Sequence, residues 1–345
     1  MNKQFLKGLL DCVSVSGEEI QIQKYIKEQM KDIVDDTMVD GSGDLINIIN
    51  KDSDQKVLLC AHADEIGFYI NRIYSDGTLG VTKAGGVRPA LYLGTHVQIV
   101  SDEIVHGVVM SHSGLENKEK VAVSDLRIDI GCDSKEEAEK VVSVGNVVCA
   151  ATSMQEVQNH RFAARAVDDR GCVFIILEAI RRAKELGAKV GMYAATTTGE
   201  ETTRRGAYHA STNVEPTCAI IVDVTFASDY VGATSNEGGD IALGKGAALC
   251  YSSTVNKAMN KKMEEIANNL NIPIQWEVSP GWTYTDGDIV HLTNKGVPIV
   301  LVSLPLRYMH SSIEMADYRD IEACIELIAQ FLVQLDDSFP YIPEI

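Results

Sequence analysis

Residues 56–64 read KVLLCAHAD, an apolar run that ends abruptly on a histidine and an aspartate. A strand with one wet face alternates apolar and polar residues, because successive side chains point to opposite sides of the sheet. This run does not alternate. Both of its faces must be covered, as they are for a strand in the centre of an α/β sheet. His62 and Asp64 fall at its carboxyl end, just where open α/β sheets bind their ligands.

The same texture returns far downstream. After NHRFAARAVDDRGC (159–172) come helix VFIILEAIRRAKEL (173–186), strand KVGMYAATTT (189–198), helix RRGAYHAS (204–211) and strand TCAIIVDVTF (217–226). Helix VNKAMNKKMEEIANNL (255–270), strands IPIQWEVS (272–279) and VPIVLVSL (297–304) and a closing helix DIEACIELIAQFLVQL (320–335) complete the series. This alternation predicts a sheet flanked by helices. Upstream, LINIIN (45–50) reads as a strand, and SVSGEEIQIQKYIKEQM (14–30) as an amphipathic helix with Ser16 as its N-cap and Glu19 three residues on.

Between residues 67 and 160 the pattern changes to short β-rich runs: GFYINRIY, HVQIVSDEIVHGVVM and DLRIDIGC, with an Asp76-Gly77 turn and one helix, SKEEAEKVV. The expected organisation is therefore an α/β domain, residues 1–66 and 161–345, interrupted by a β-rich insertion, 67–160. No internal repeat or low-complexity tract is evident.

Forty-nine acidic against 31 basic residues give a net charge of −18. That balance argues against nucleic acid and anionic lipid as partners. The opening MNKQFLKGLLDCVSVSGEE lacks the apolar core and cleavage site of a secretory signal, so a cytoplasmic location is expected. No run approaches the ~18 apolar residues of a membrane span. Eight scattered cysteines without a C-x-x-C pair read as small buried residues.

Four strands lead into groups of the kind that bind metals: His62 and Asp64, Glu200 and Glu201, Asp223, and His310. A fifth group, Asp168-Asp169, opens a helix, where a carboxylate suits the positive end of the dipole. Any one of these alone would pass for a cap, a turn or a solvated side chain. Asp223 is harder to dismiss, because a lone carboxylate inside CAIIVDVTF is costly unless it is paired or metal-bound. Two histidines and several carboxylates at one sheet edge form the ligand set of a hydrolytic site of the zinc or cobalt type. On an extended backbone His62 and Asp64 share a face, so Asp64 is placed to bond the ring nitrogen that His62 does not give to a metal. Adjacent glutamates cannot easily reach one point. One of Glu200 and Glu201 is therefore expected to ligate while the other serves as base.

The ordered segments AHADEIGFYI, GGVRPALYLG, DLRIDIGCDSKEEAE, NHRFAARAVDDRGC, GEETTRRGA, IIVDVTFASD and RYMHSSIEMAD resemble the M42 metallo-aminopeptidases, relatives of the glutamyl, deblocking and tetrahedral (TET) aminopeptidases. The resemblance implies Asp168 as a carboxylate bridging two metal ions, His62 and Asp223 completing one site, and Glu201 and His310 the other. It further implies Glu200 as general base, Asp64 as partner of His62, and a β-rich, barrel-like insertion that serves dimerisation. Short peptides are the implied substrates, and dimers assembling into a dodecamer the implied particle. The chain departs from the family at Gly199, where Gln is usual, and at Thr202-Thr203, where Val-Gly is usual. MSHSGLENKEK replaces a Pro-Pro-His segment, and GWTYTDGD and GKGAALC are loose versions of glycine-rich stretches.

Two other readings remain at this level. Paired carboxylates also serve glycosidases, and relatives of this family have often carried endoglucanase labels. A metal-binding homologue with little turnover is the other. Arg204 and Arg205 are candidates for receiving an acidic substrate side chain, although helix-start arginines are usually solvated. Trp276 and Trp282 are read as packing residues, and GWTYTDGD as a border of the pocket for the first side chain.

Overall fold

The computed structural model describes residues 1–233, 238–336 and 338–342. Two helices, α1 (Lys3–Asp11) and α2 (Ile20–Met30), precede the antiparallel pair β1 (Asp36–Val39) and β2 (Leu45–Ile49), and then β3 (Lys56–His62). The β3 residues Val57, Leu58 and Leu59 are fully buried. At about 1.5–3 kcal/mol for each such side chain, an edge position would forfeit several kcal/mol.

The chain then leaves the sheet. Six strands, β4 (Gly67–Ile73), β5 (Leu79–Ala84), β6 (His96–Val100), β7 (Ile104–Val109), β8 (Arg127–Asp129) and β9 (Val147–Ala150), close into a barrel in the order β4-β5-β8-β7-β6-β9. Short helices α3 (Ser113–Glu116) and α4 (Lys135–Ala138) lie in its connections. Asp76 and Gly77 turn the chain between β4 and β5, with Asp76 accepting the Thr78 N–H. The barrel has its own apolar centre, including Phe68, Ile99 and Ile128.

The return is through β10 (Gln155–Glu156) and β11 (Arg161–Ala164) into α5 (Val167–Glu185), β12 (Gly191–Thr197), α6 (Arg205–Val214) and β13 (Cys218–Phe226). Then come β14 (Ala247–Tyr251), α7 (Lys257–Leu270), β15 (Ile274–Val278), α8 (Gly287–Val290), β16 (Ile299–Leu306), β17 (Glu314–Asp317) and α9 (Tyr318–Gln334). The large sheet has the order β1-β2-β12-β3-β13-β16-β14-β15, and helices flank it. β12, β3, β13 and β16 are mutually parallel. Their carboxyl ends consequently share one edge, and that edge receives the groups singled out from sequence.

Several local expectations change. α1 was not anticipated. Nor does Ser16 cap α2, which begins at Ile20 after Glu19. Tertiary contacts win instead: the Ser16 N–H donates to the Glu65 carbonyl and its hydroxyl pairs with Thr202. Trp276 stacks on Tyr251 with ring centroids 4.3 Å apart, whereas Trp282 is exposed rather than packed. The cysteines are all free, and most are buried.

A buried ionic knot ties the chain entering the barrel to the start of α5. Glu65 accepts two bonds from Arg165, at 2.7 and 2.8 Å, and one from Arg170 at 2.6 Å. Burial alone would raise the Glu65 pKa, but the two guanidinium groups outweigh it and hold the carboxyl below its ordinary value. Such a carboxylate stabilises the fold above its unfolded pKa, near 4.5, and loses that contribution as pH falls toward the folded value. Glu65→Ala strands two buried cations, and the expected loss is about 3–5 kcal/mol, read from urea unfolding at neutral pH. Unchanged stability would remove this role from Glu65.

Candidate active site

Each functional side chain is presented by the end of a parallel strand or by the chain just after it. His62 ends β3; Glu200 and Glu201 lie in the turn after β12; Asp223 lies near the end of β13; His310 follows β16. Asp168 reaches the same place from the first turn of α5, where it and Asp169 depart from helical angles. His62 Nε2 stands 3.3 Å from Asp168 Oδ1, and His310 Nε2 stands 3.3 Å from Asp168 Oδ2. Ligand atoms of His62, Asp168 and Asp223 lie within 4.8 Å of one another, and so do those of Asp168, Glu201 and His310. Asp168 is common to both groups.

The donor set fits divalent cations. It consists of imidazole nitrogens and carboxylate oxygens, the ligand types of zinc and its neighbours. Glu201 Oε1 is buried and accepts no hydrogen bond, an expensive state for a carboxylate oxygen without a cation. Burial, reinforced by repulsion from Asp168, pushes Glu201 well above the ordinary carboxyl range, and the same pair of causes acts on Asp223. Burial opposes charge on His62, but Asp168, Asp64 and Asp169 outweigh it and raise the imidazole pKa well above its usual value.

A second ring of carboxylates holds the backbone of these residues. Asp64 accepts the N–H groups of Glu200 and Glu201, at 3.0 and 3.3 Å. Its relation to His62 is looser than the i, i+2 spacing suggested: His62 Nδ1 lies 3.1 Å from the Asp64 carbonyl and 3.5 Å from its carboxylate. Asp169 accepts the His62 N–H at 3.0 Å, and Glu314 accepts those of Asp168 and His310 at 3.0 and 3.1 Å. Sequence reading missed Glu314 and the distinct task of Asp169. The available signal was the carboxylate four residues beyond His310.

Glu200 Oε2 approaches His62 Nε2 at 4.0 Å, while its Oε1 accepts from Arg204 at 2.7 Å. Burial raises the Glu200 pKa against the pull of His62 and Arg204. Arg204 also lies 3.7 Å from Asp288, so it is committed within the site. The unusual residues of this turn have local work. Gly199 has φ +67°, and a β-carbon there would strike the Arg205 guanidinium. Thr202 bonds Ser16, and the Thr203 hydroxyl donates to the Gly199 carbonyl at 3.2 Å.

A cavity of about 770 Å³ opens over this cluster and is bordered further out by Thr283, Tyr284 and Thr285, within GWTYTDGD. The barrel touches the site as well. After β5, Gly85 and Gly86 run so close that a β-carbon on the first would lie 2.9 Å from Glu201 Oε2, and one on the second would overlap the His310 ring.

Comparison with known proteins identifies the family of the chain. A family model described as M42 glutamyl aminopeptidase matches residues 43–327. The lysyl aminopeptidase of Pyrococcus furiosus is 33% identical over 343 residues, covering 96% of this chain and 97% of the relative. Among solved structures, the TET aminopeptidase of the marine sediment archaeon Thaumarchaeota archaeon SCGC AB-539-E09 superposes with a TM-score of 0.92 at 29% identity, covering 98% of this chain and 97% of the other. The Pyrococcus horikoshii TET1 peptidase, which can assemble into a tetrahedron or a large octahedral shell, gives 0.86 at 29% identity, with 96% and 99% covered.

Proposed function

The chain belongs to the M42 glutamyl aminopeptidase family and is an aminopeptidase, and from that premise we propose that it removes amino-terminal residues from short peptides at the Asp168-centred cluster. The observation that carries this reading is one buried carboxylate shared by two histidine-carboxylate groups. Two divalent ions of the zinc or cobalt type, held by His62, Asp168 and Asp223 and by Asp168, Glu201 and His310, would supply Lewis-acid polarisation of the peptide carbonyl and acidify the attacking water.

The chain's own residues do the rest. Glu200 takes the proton from the attacking water and passes it to the leaving amine. Arg204 fixes the Glu200 carboxylate. Asp64 orients both glutamates through their backbone N–H groups and flanks the His62 ring. Adjacent Glu200 and Glu201 on one wall do not flank a sugar from opposite sides, so the glycosidase reading has no support in this geometry.

A panel of aminoacyl p-nitroanilides and short peptides tests the proposal. Turnover is expected with free amino termini, abolition by a chelator, and recovery on adding zinc or cobalt. Chelator-resistant hydrolysis of a glucan, with peptides untouched, would sink it. We propose too that the barrel-bearing insertion, residues 67–160, mediates dimerisation toward a dodecamer, an assembly that light scattering reads directly. The assembly of the Pyrococcus horikoshii TET1 peptidase into a tetrahedron or a large octahedral shell supports a homo-oligomeric particle.

A further inference from the structure

The family description says glutamyl and the Pyrococcus furiosus relative is lysyl, so relatives' names do not decide which first side chain this site takes. The cavity wall offers an answer. In the strand register Asp223 lies opposite Ser303, Ser303 opposite Ala248, and, two residues along β14, Cys250 opposite Glu277. Side chains at paired positions, and at alternate positions along a strand, point to the same face. Asp223, Thr225, Ser303, Cys250 and Glu277 therefore form one continuous surface that leads away from the metal-type cluster, and all five line the cavity.

Glu277 is the acid at the far end of that surface. Its Oε1 accepts from the Ser303 hydroxyl at 2.6 Å, and its Oε2 accepts from Thr225. A carboxylate has roughly four acceptor positions. Two hydroxyls aim the group and leave the others for a ligand. The remaining charged side chains that line the cavity are engaged: five in the two candidate ligand groups, and Glu200 with Arg204 in an ion pair. No cation of the protein pairs with Glu277 among the salt bridges of the described residues.

We propose that Glu277 sets the specificity of this site by receiving the cationic side chain of an amino-terminal lysine or arginine, with Thr225 and Ser303 holding its carboxylate. The assignment rests on the aminopeptidase reading above. A lysine or arginine reaches along this surface and delivers its cationic end to the carboxylate. A leucine leaves Glu277 without a counter-charge, and a glutamate sets two carboxylates against each other. Sites built around a buried polar group discriminate strongly against ligands that fail to pair it.

The test compares kcat/KM for lysyl-, arginyl-, leucyl- and glutamyl-p-nitroanilide on zinc- or cobalt-loaded protein, for the wild type, Glu277→Gln and Glu277→Asp. The wild type is expected to favour the lysyl and arginyl substrates over leucyl by about tenfold or more, with glutamyl last. Glu277→Gln should lower the lysyl-to-leucyl ratio about 10–100-fold, and Glu277→Asp should keep part of it. A ratio that does not move in Glu277→Gln, or a wild type that favours leucyl or glutamyl substrates, overturns the assignment while leaving the aminopeptidase reading in place. Absence of turnover with all four substrates overturns both. Metal content and thermal melting of each variant show that a changed ratio does not come from a lost fold.

Discussion

Glu200→Gln is expected to lower kcat by about 10²–10⁴-fold, the usual worth of a positioned general base, while metal content stays nearly the same. The prediction separates two carboxylates that are neighbours in sequence. Glutamine keeps the length of the side chain and an oxygen for the Arg204 guanidinium, which now donates to Glu200 Oε1 at 2.7 Å. What it loses is the capacity to accept a proton. The turn itself survives, because the Glu200 and Glu201 backbone N–H groups are held by Asp64 rather than by the side chain that changes. Elemental analysis beside steady-state kinetics reads both halves of the expectation. A variant that remains fully active would free Glu200 of this role, and one that loses metal would make it a ligand.

Asp168→Asn should act in the opposite way, costing metal at both sites and lowering activity at least about 10³-fold, since Lewis-acid catalysis is worth several kcal/mol. Its two oxygens face different histidines, each at 3.3 Å, so no other residue substitutes for it in either group. Burial presses Asp168 toward neutrality, but hydrogen bonding to His310 and His62 outweighs this and holds its pKa well below the usual carboxylate range. An amide in its place offers one weaker oxygen and no charge. Titrating zinc into the metal-free variant while following the melting temperature tests this. The wild type is expected to show a rise that Asp168→Asn lacks; an equal rise in both would show that Asp168 is not shared.

The parts of the fold that were legible in the sequence are those whose signal is local. β3, β12, β13 and β16 are apolar along most of their length, and α5, α7 and α9 carry long helical patterns, so each declares itself without a partner. β14 did not, because AALCY is short, rich in small residues and preceded by glycines. It becomes a strand only where β16 and β15 flank it. The Ser16 cap failed for a related reason: the motif was present, but Thr202 and Glu65, far away in sequence, claimed its groups.

Candidate site residues divide along the same line. His62, Glu200, Glu201, Asp223 and His310 stand out because strong strand patterns lead into them. Glu314, Asp169 and Glu277 act through contacts that span long separations, such as Glu314 with Asp168 across 146 positions and Glu277 with Thr225 across 52. For Glu314 only its spacing of four residues from His310 hinted at such a contact, and nothing around the solitary glutamate in IQWEVS announces one before the sheet is assembled.

The close passage of Gly85 and Gly86 past Glu201 and His310 bears on how this protein can be altered by evolution or by design. An inserted unit is ordinarily a separable module, free to be trimmed, exchanged with a cousin or reshaped for a new assembly. Here the chain just after its first hairpin borders the cavity over the metal-type cluster, and the fit there favours the smallest residue. A new interface grown on the insertion can therefore vary freely only where it leaves the backbone at Gly85 and Gly86 undisturbed.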